Sequence, residues 1–257
     1  MASAFLGAVK SRFFPAVFAL AVILLPVVRG QGSAMAEQAV GMRAPHEFAD
    51  VSTLEWSKLV PPPPAAESLA AEGDLYSVLQ MQAARTPEQI EWAQLVEKGD
   101  VFALFGAEGL LGPDFSRENF PALDALLHQL TAELQPIKQV VKEKYQRARP
   151  FLADVAVEPC VQRPDSDSYP SGHAFNAHVW ARVLAEIFPE QRAALIARAD
   201  YIGWGRVIGG VHFPTDLVAG RRLAVAVMAR EMKNPAFREA IEACRAEAAK
   251  LKTKKAA

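Results

Sequence analysis

The chain has 257 residues, 51% of them hydrophobic and 22% charged, with a formal net charge of −1. This length supports one sizeable hydrophobic core, and the near-neutral balance lacks the basic excess on which nucleic-acid binding depends. Two cysteines, Cys160 and Cys244, are too few for a disulfide framework; in an oxidising compartment they allow one bridge or two independent thiols.

Residues 1–36 read as a secretory signal. Lys10 and Arg12 precede the apolar run Phe13 to Val28, and Ala34-Met35-Ala36 supplies the small residues of a cleavage site. Pro15 and Pro26 interrupt the run, which is short for a membrane span; an uncleaved anchor is the alternative. Cleavage after Ala36 removes Lys10, Arg12 and Arg29 and no acid, leaving a more acidic chain, expected in the periplasm or outside the cell without stable membrane insertion. Residues 37–66 read as an extended, Pro-rich segment of little periodicity that carries the stiff run Pro61 to Pro64, a linker or a strap along a domain surface.

Residues 67–257 read as one helical domain. Leu69, Leu75, Val78, Leu79 and Met81 recur at helical spacing through Glu67 to Ala84, and Thr86-Pro87-Glu88-Gln89 starts a second helix with a capping box. Asp100 opens a short helix through Val101, Leu104 and Phe105. Asn119 to Tyr145 is amphipathic, one long helix or two joined at Pro136, and Pro150 is expected to end it. Phe151 to Tyr169 is a loop rich in Asp, Ser and Pro. Helices are then expected over Ala174 to Phe188, Glu190 to Val211, Asp216 to Met232, and Pro235 to Leu251 with Asn234 as cap. Strand patterns are nearly absent and no repeat is visible, so the fold class is all-α, a single-domain helical bundle.

Three short stretches carry chemistry. In the first, Ser168 to Phe175, turn residues give way to a helix at Pro170-Ser171-Gly172-His173. Such a helix start aims free backbone N–H groups at an anion, with a hydroxyl from Ser171, close approach at Gly172 and a titratable proton on His173. Ser-Gly before a helix is, on its own, more often only a cap. The second is Lys142 and Arg149, two turns apart, a point charge and a bidentate fork suited to an oxyanion. With Lys144 and Arg147 nearby, a solvated basic helix end is the ordinary alternative. The third places Arg206 in the glycine-containing apolar run Trp204 to Val211, followed by His212 and, four residues on, Asp216. A carboxylate at that spacing fixes one ring nitrogen and leaves the other as a nucleophile, although a lone His-Asp pair is more often a structural hydrogen bond. His178, His128 and His46 have no such partners and read as structural or exposed.

Taken together, Lys142 with six residues to Arg149-Pro150, then Pro170-Ser171-Gly172-His173, then Arg206 with five residues to His212 and three more to Asp216, resemble the three-part signature of the type 2 phosphatidic acid phosphatase superfamily, which includes vanadium haloperoxidases. The likeness is closest to the class A bacterial nonspecific acid phosphatases, with Pro61 to Pro64, Ser168-Tyr169 and Asn234-Pro235-Ala236-Phe237 also matching, and it extends from about Leu59 to about Ala248. The resemblance implies a helical bundle of the phosphatidic acid phosphatase and haloperoxidase type. It also implies a phosphomonoesterase of broad specificity that works through a phosphohistidine with no metal and no cofactor. By position, His212 would be the nucleophile, Asp216 its orienter and His173 the acid for the leaving group. Lys142, Arg149, Ser171, Gly172 and Arg206 would hold the phosphate oxygens. The substrate class is a small-molecule phosphomonoester, and a homo-oligomer stays open.

One departure is Gly205, where the family usually has serine before the arginine; it bears on the rigidity of Arg206 more than on the reaction. Cys160 sits where some relatives have a cysteine, but the usual partner in the third motif is missing, with Cys244 as a substitute. The competing functions are a lipid phosphate phosphatase, a vanadate-dependent haloperoxidase, and a phosphate-binding module without turnover.

Overall fold

The computed structural model describes residues 55–256. The expected signal segment 1–36, the following residues up to 54, and His46 lie outside the described residues. Among the described residues there is no strand. The helices are α1 (Trp56–Leu59), α2 (Leu69–Ala84), α3 (Pro87–Lys98), α4 (Val101–Gly106), α5 (Pro121–Glu133), α6 (Gln135–Tyr145), α7 (Pro150–Ala153), α8 (Gly172–Ile187), α9 (Arg192–Ile208), α10 (Pro214–Glu231) and α11 (Pro235–Ala256).

The helix starts follow local chemistry. Thr86 Oγ1 accepts from Gln89 N–H at 3.3 Å while Gln89 Oε1 accepts from Thr86 N–H at 2.9 Å, closing the expected capping box ahead of α3. Asp100 caps α4 through Ala103 N–H at 2.8 Å, and Asn234 caps α11 through Ala236 N–H at 2.9 Å. The amphipathic stretch before Tyr145 divides into α5 and α6 at Leu134, because a proline at position 136 can begin a helix but not continue one.

Two expectations are corrected here. The helix does not run to Pro150: α6 stops at Tyr145, where Gln146 adopts a left-handed conformation with φ of 44°, and Pro150 instead opens the short α7. Lys142 and Arg149 therefore do not share a helix face, since Arg149 sits in extended backbone as the cap of α7. Within the segment expected to be extended, Trp56–Leu59 forms a helical turn, and Val60 is fully buried in the main core.

The core is built around α8. Eleven of its sixteen residues are buried, far more than the single stripe of a surface helix, because α9 and α10 cover it on two sides and α11 packs on it from a third. Phe175, Val179, Val183 and Leu184 from α8 join Leu123, Leu127 and Leu130 from α5 and Phe237 from α11 in one continuous cluster. Fully burying each such side chain stabilises the fold by roughly 1.5–3 kcal/mol. Close approach at one point requires glycine. A Cβ on Gly220 of α10 would lie 2.6 Å from the carbonyl oxygen of Ser171, so α10 can press against the first turn of α8 only with hydrogen at that position.

The proline run is docked through a motif residue: Tyr169 O–H donates to the Pro61 carbonyl at 2.5 Å, and Tyr169 meets Tyr145 edge-on, which in turn meets Trp56. Both cysteines are free thiols. Cys160 Sγ lies 3.7 Å from the Ile208 carbonyl, whereas Cys244 is buried in the core on α11, where burial pushes its thiol up to about 12. No helix among the described residues is long and apolar enough to cross a membrane.

Candidate active site

The site gathers at one end of α8, where three connections converge. α6 brings Lys142, the cap of α7 brings Arg149, the start of α8 brings Ser171, Gly172 and His173, and the last turn of α9 brings Arg206. The α9–α10 connection contributes His212, and the first turn of α10 contributes Asp216. The chain can turn sharply from α9 into that connection because Gly210 takes φ of 74°.

His212 and Asp216 are almost wholly buried, and the imidazole Nδ1 lies 3.1 Å from Asp216 Oδ2. The carboxylate is itself held from several directions. Oδ2 also accepts from Ser168 Oγ at 2.6 Å and from Phe213 N–H at 2.9 Å, and Oδ1 accepts from Arg147 Nη1 at 2.7 Å. Burial opposes ionisation of Asp216, but His212, Arg147 and Ser168 outweigh it and keep the carboxyl below its ordinary range. With an ionised acceptor at Nδ1, the ring carries its proton there and leaves a lone pair on Nε2. Burial, reinforced by the cations Arg149 and Lys142 and opposed by Asp216, pushes His212 down to about 3, so the ring is neutral over the working range.

The cations divide into two kinds. Arg149 is fully engaged: Nε donates to the Ser166 carbonyl at 2.6 Å, Nη2 to Ser166 Oγ and the Asp167 carbonyl, and Nη1 to the Val211 carbonyl at 2.6 Å, with Nη1 also 3.2 Å from His212 Nε2. Lys142 Nζ donates to the Asp167 carbonyl. Burial lowers Lys142 to about 8 and Arg149 to about 10, which leaves both protonated at acidic and neutral pH. Arg206 is different. It is 2% exposed, and its Nε and Nη1 have no hydrogen-bond partner. Two orphaned N–H donors on a buried cation are costly unless an anion is to meet them.

At the start of α8, Ser171 Oγ accepts from Ala174 N–H at 3.3 Å as the N-cap, and Ser171 N–H donates to the Asp216 carbonyl at 3.0 Å, which ties the helix start to the partner of His212. A Cβ on Gly172 would meet nothing within 4 Å, so the space beside it is open. His173 lines a cavity of about 390 Å³ bounded by Val101, Leu127, Thr131, Gln135, Asn176 and Trp180. Burial first, then the charge on Arg206, the His212 ring and Arg149, hold His173 well below the ordinary histidine value, with a hydrogen bond to the Glu97 backbone opposing them.

The eight residues singled out in the sequence thus come from separate elements to one end of the bundle. The three discounted histidines divide. His178 is buried on the far side of α8 against Asp200 and Arg182, and His128 is exposed near Asp124, while His46 lies outside the described residues. Four residues of the surroundings were not recognised. Arg147, read as part of a solvated basic helix end, is instead largely enclosed between Asp216 and Asp74, stacked over the Phe213 ring at 4.1 Å. Asp74 also accepts from Thr215 N–H at 3.1 Å and from Thr215 Oγ1. Ser168 and Thr215 complete the set. A signal for Asp74 was present, since it precedes Val78 by four residues on the buried stripe of α2.

Gly205 has a packing reason: a Cβ there would lie 2.9 Å from Val96 Cγ2 and 3.2 Å from Trp92 Nε1, so the glycine lets α3 pack closely on α9 just behind Arg206.

Comparison with known proteins follows this geometry. The PAP2 superfamily model matches residues 123–238, a span that holds all eight site residues. A non-specific acid phosphatase of Providencia stuartii is 31% identical over 204 residues, which is 76% of this chain and 81% of that protein. One from Salmonella typhimurium is 29% identical over 208 residues, 73% of this chain and 78% of its own length. Among solved structures, a bacterial vanadium-dependent iodoperoxidase aligns over 68% of this chain and 52% of its own, with a TM-score of 0.50 at 16% identity, a likeness of fold. With relatives of that identity and coverage on the same helical frame, the chain belongs to the PAP2 superfamily, in its non-specific acid phosphatase branch.

Proposed function

We propose that this acid phosphatase hydrolyses small phosphomonoesters in two displacements at His212. The observation that carries the reading is the buried His212–Asp216 pair at 3.1 Å: burial keeps the ring neutral, and the carboxylate at Nδ1 leaves the Nε2 lone pair directed away from it. In the first step Nε2 attacks phosphorus, the P–N bond forms, the P–O ester bond breaks, and protonated His173 gives its proton to the departing oxygen. Water then attacks phosphorus, neutral His173 takes its proton, the P–N bond breaks, and phosphate and neutral His212 are regenerated. Asp216 stays ionised and balances the positive charge that the ring acquires.

Charge stabilisation falls first to Arg206, whose free N–H groups meet two phosphoryl oxygens, with Lys142, Ser171 and the backbone at Gly172 meeting the others. Arg149 flanks the attack. Its Nη1 contact with Nε2 is the one that must yield when the lone pair turns to phosphorus, and the freed N–H then reaches an equatorial oxygen. The low affinity of His173 for a proton in the free enzyme fits this order of events. A bound phosphoryl group neutralises Arg206 and Arg149 and raises His173, so the acid is charged when substrate arrives.

The open cavity beside His173 accepts leaving groups of varied shape, which supports broad specificity. The signal-like residues 1–36 support export to the periplasm or the medium. The test is a trapping experiment: mixing with labelled phosphomonoester and quenching should leave an acid-labile phosphoryl group on the wild type. Its persistence on His212→Ala would overturn the assignment of the nucleophile.

A further inference from the structure

The cavity that receives the leaving group contains one arrangement that the chemistry at phosphorus does not use. Lys138 on α6 is 4% exposed, and no carboxylate pairs with it among the described residues. Its ammonium donates one hydrogen bond, to Asn176 Oδ1 at 2.9 Å, and sits 5.4 Å from the centre of the Phe175 ring. A buried lysine with a single neutral acceptor is costly to keep, and burial lowers it only to about 8, so it is charged at acidic and neutral pH.

The consequence lies in Asn176. An ammonium can only donate, so the amide must turn its oxygen toward Lys138 whichever way the group is drawn. The –NH2 is thereby turned from Lys138. That nitrogen has no hydrogen-bond partner among the described residues, and Asn176 lines the same cavity as His173. Asn176 follows His173 by three positions on α8, so the two side chains are neighbours on one face, with Cβ atoms about 5–6 Å apart. A leaving oxygen protonated by His173 therefore has a fixed pair of donors about one helical turn away. The rest of the lining includes an apolar wall at Val101, Leu127 and Trp180, with Thr131 and Gln135 beside it and Arg117, Asp124 and His128 also on the cavity.

We propose that Asn176 is a specificity-determining residue that donates to the hydroxyl oxygens of a polyhydroxylated leaving group, a sugar or polyol, and that Lys138 is the positioning residue that fixes its amide. The apolar wall takes the C–H face of such a group. This rests on the reading of His173 as the acid at this cavity.

The experiment compares kcat/KM for glucose 6-phosphate with that for phenyl phosphate, which has no hydroxyl to read, in the wild type, Asn176→Leu, Lys138→Met and Lys138→Arg. The ratio of the two is expected to fall about fivefold in Asn176→Leu, the worth of one ordinary hydrogen bond. It should fall similarly in Lys138→Met, where the amide is free to flip, and stay within about twofold of wild type in Lys138→Arg, which still donates. The buried methionine is of similar length, and the ratio cancels any common loss of active enzyme. An unchanged ratio in Asn176→Leu overturns the subsite, and an unchanged ratio in Lys138→Met overturns the positioning role. Failure of the underlying reading shows elsewhere: phenyl phosphate turnover that survives His212→Ala would remove the reaction scheme, whatever the ratios do.

Discussion

Asp216 Oδ2 lies 3.1 Å from His212 Nδ1 and receives two further hydrogen bonds, from Ser168 Oγ and from the Phe213 backbone. The carboxylate is therefore held before it orients the ring, and both the tautomer and the direction of Nε2 depend on it. Asp216→Asn keeps the shape but offers an –NH2 where the ring needs an acceptor, which favours the wrong tautomer. A loss in kcat of about 10³-fold or more is expected on phenyl phosphate, together with a lower melting temperature because Arg147 loses a charged partner. Activity within tenfold of wild type would mean that Nε2 is not the attacking atom.

Arg147 bridges two buried acids, at 2.7 Å from Asp74 and 2.7 Å from Asp216. Replacing it with methionine leaves both carboxylates without their cation, and a destabilisation of about 3–5 kcal/mol is expected in urea unfolding. Adding Asp74→Asn should recover part of it, since one of the stranded charges is then gone. Equal stability of the single variant and the wild type would show that the bridge contributes nothing.

At Gly205 the prediction concerns packing. Gly205→Ser restores the residue usual in the family but drives a Cβ to 2.9 Å from Val96 Cγ2. Overpacking of this kind costs about 1–3 kcal/mol. In Gly205→Ser with Val96→Ala the truncated neighbour makes room, so the double variant should be more stable than the sum of the single changes allows. Strict additivity in a double-mutant cycle would disprove the steric explanation.

On the proposed scheme, His173→Ala removes the proton donor to the leaving oxygen. Alkyl phosphates, whose alkoxides leave poorly, should lose about 10²–10⁴-fold in rate, and nitrophenyl phosphate much less because its phenolate needs little help. Equal losses on both would argue that His173 only binds phosphate.

The pH dependence follows from two histidines, both lowered. His212 must be neutral, and it becomes protonated only near its value of about 3, so the acid limb lies low. His173 must be protonated, and in the free enzyme burial and the Arg206 charge place it well below 6.5, so kcat/KM falls as pH rises through that lowered value. On the proposed roles, activity is expected to be confined to acidic pH. In the complex the phosphoryl charge offsets the cations and raises His173, so the basic limb of kcat should lie at higher pH than that of kcat/KM. A basic limb of kcat/KM centred above 6.5 would contradict this.

Much of this molecule is written in local patterns. The capping box at Thr86, the caps at Asp100 and Asn234, and the division near Pro136 follow from hydrogen bonding within a few residues, and the structure reproduces them. The end of α6 at Tyr145 agrees with the pattern, but what ends it is Gln146 in a left-handed conformation rather than Pro150, and nothing about glutamine signals that. The three site motifs were readable because each carries an unusual residue pattern at short range.

What local pattern could not reveal is how the charges are distributed once the chain is packed. Lys142, Lys144, Arg147 and Arg149 are equivalent cations in a row, yet folding buries Lys142 and Arg149, leaves the Arg147 side chain 10% exposed, and ties Arg149 to loop carbonyls and Arg147 to two acids. It leaves Arg206, from a distant helix, as a buried cation at the site with two donors unpartnered. The same holds for Asn176, whose amide is turned by a lysine 38 positions away. Residue type and spacing settle which groups can bind phosphate and move a proton. Which of them are free to do so depends on desolvation and on competing partners, and these exist only after distant helices meet.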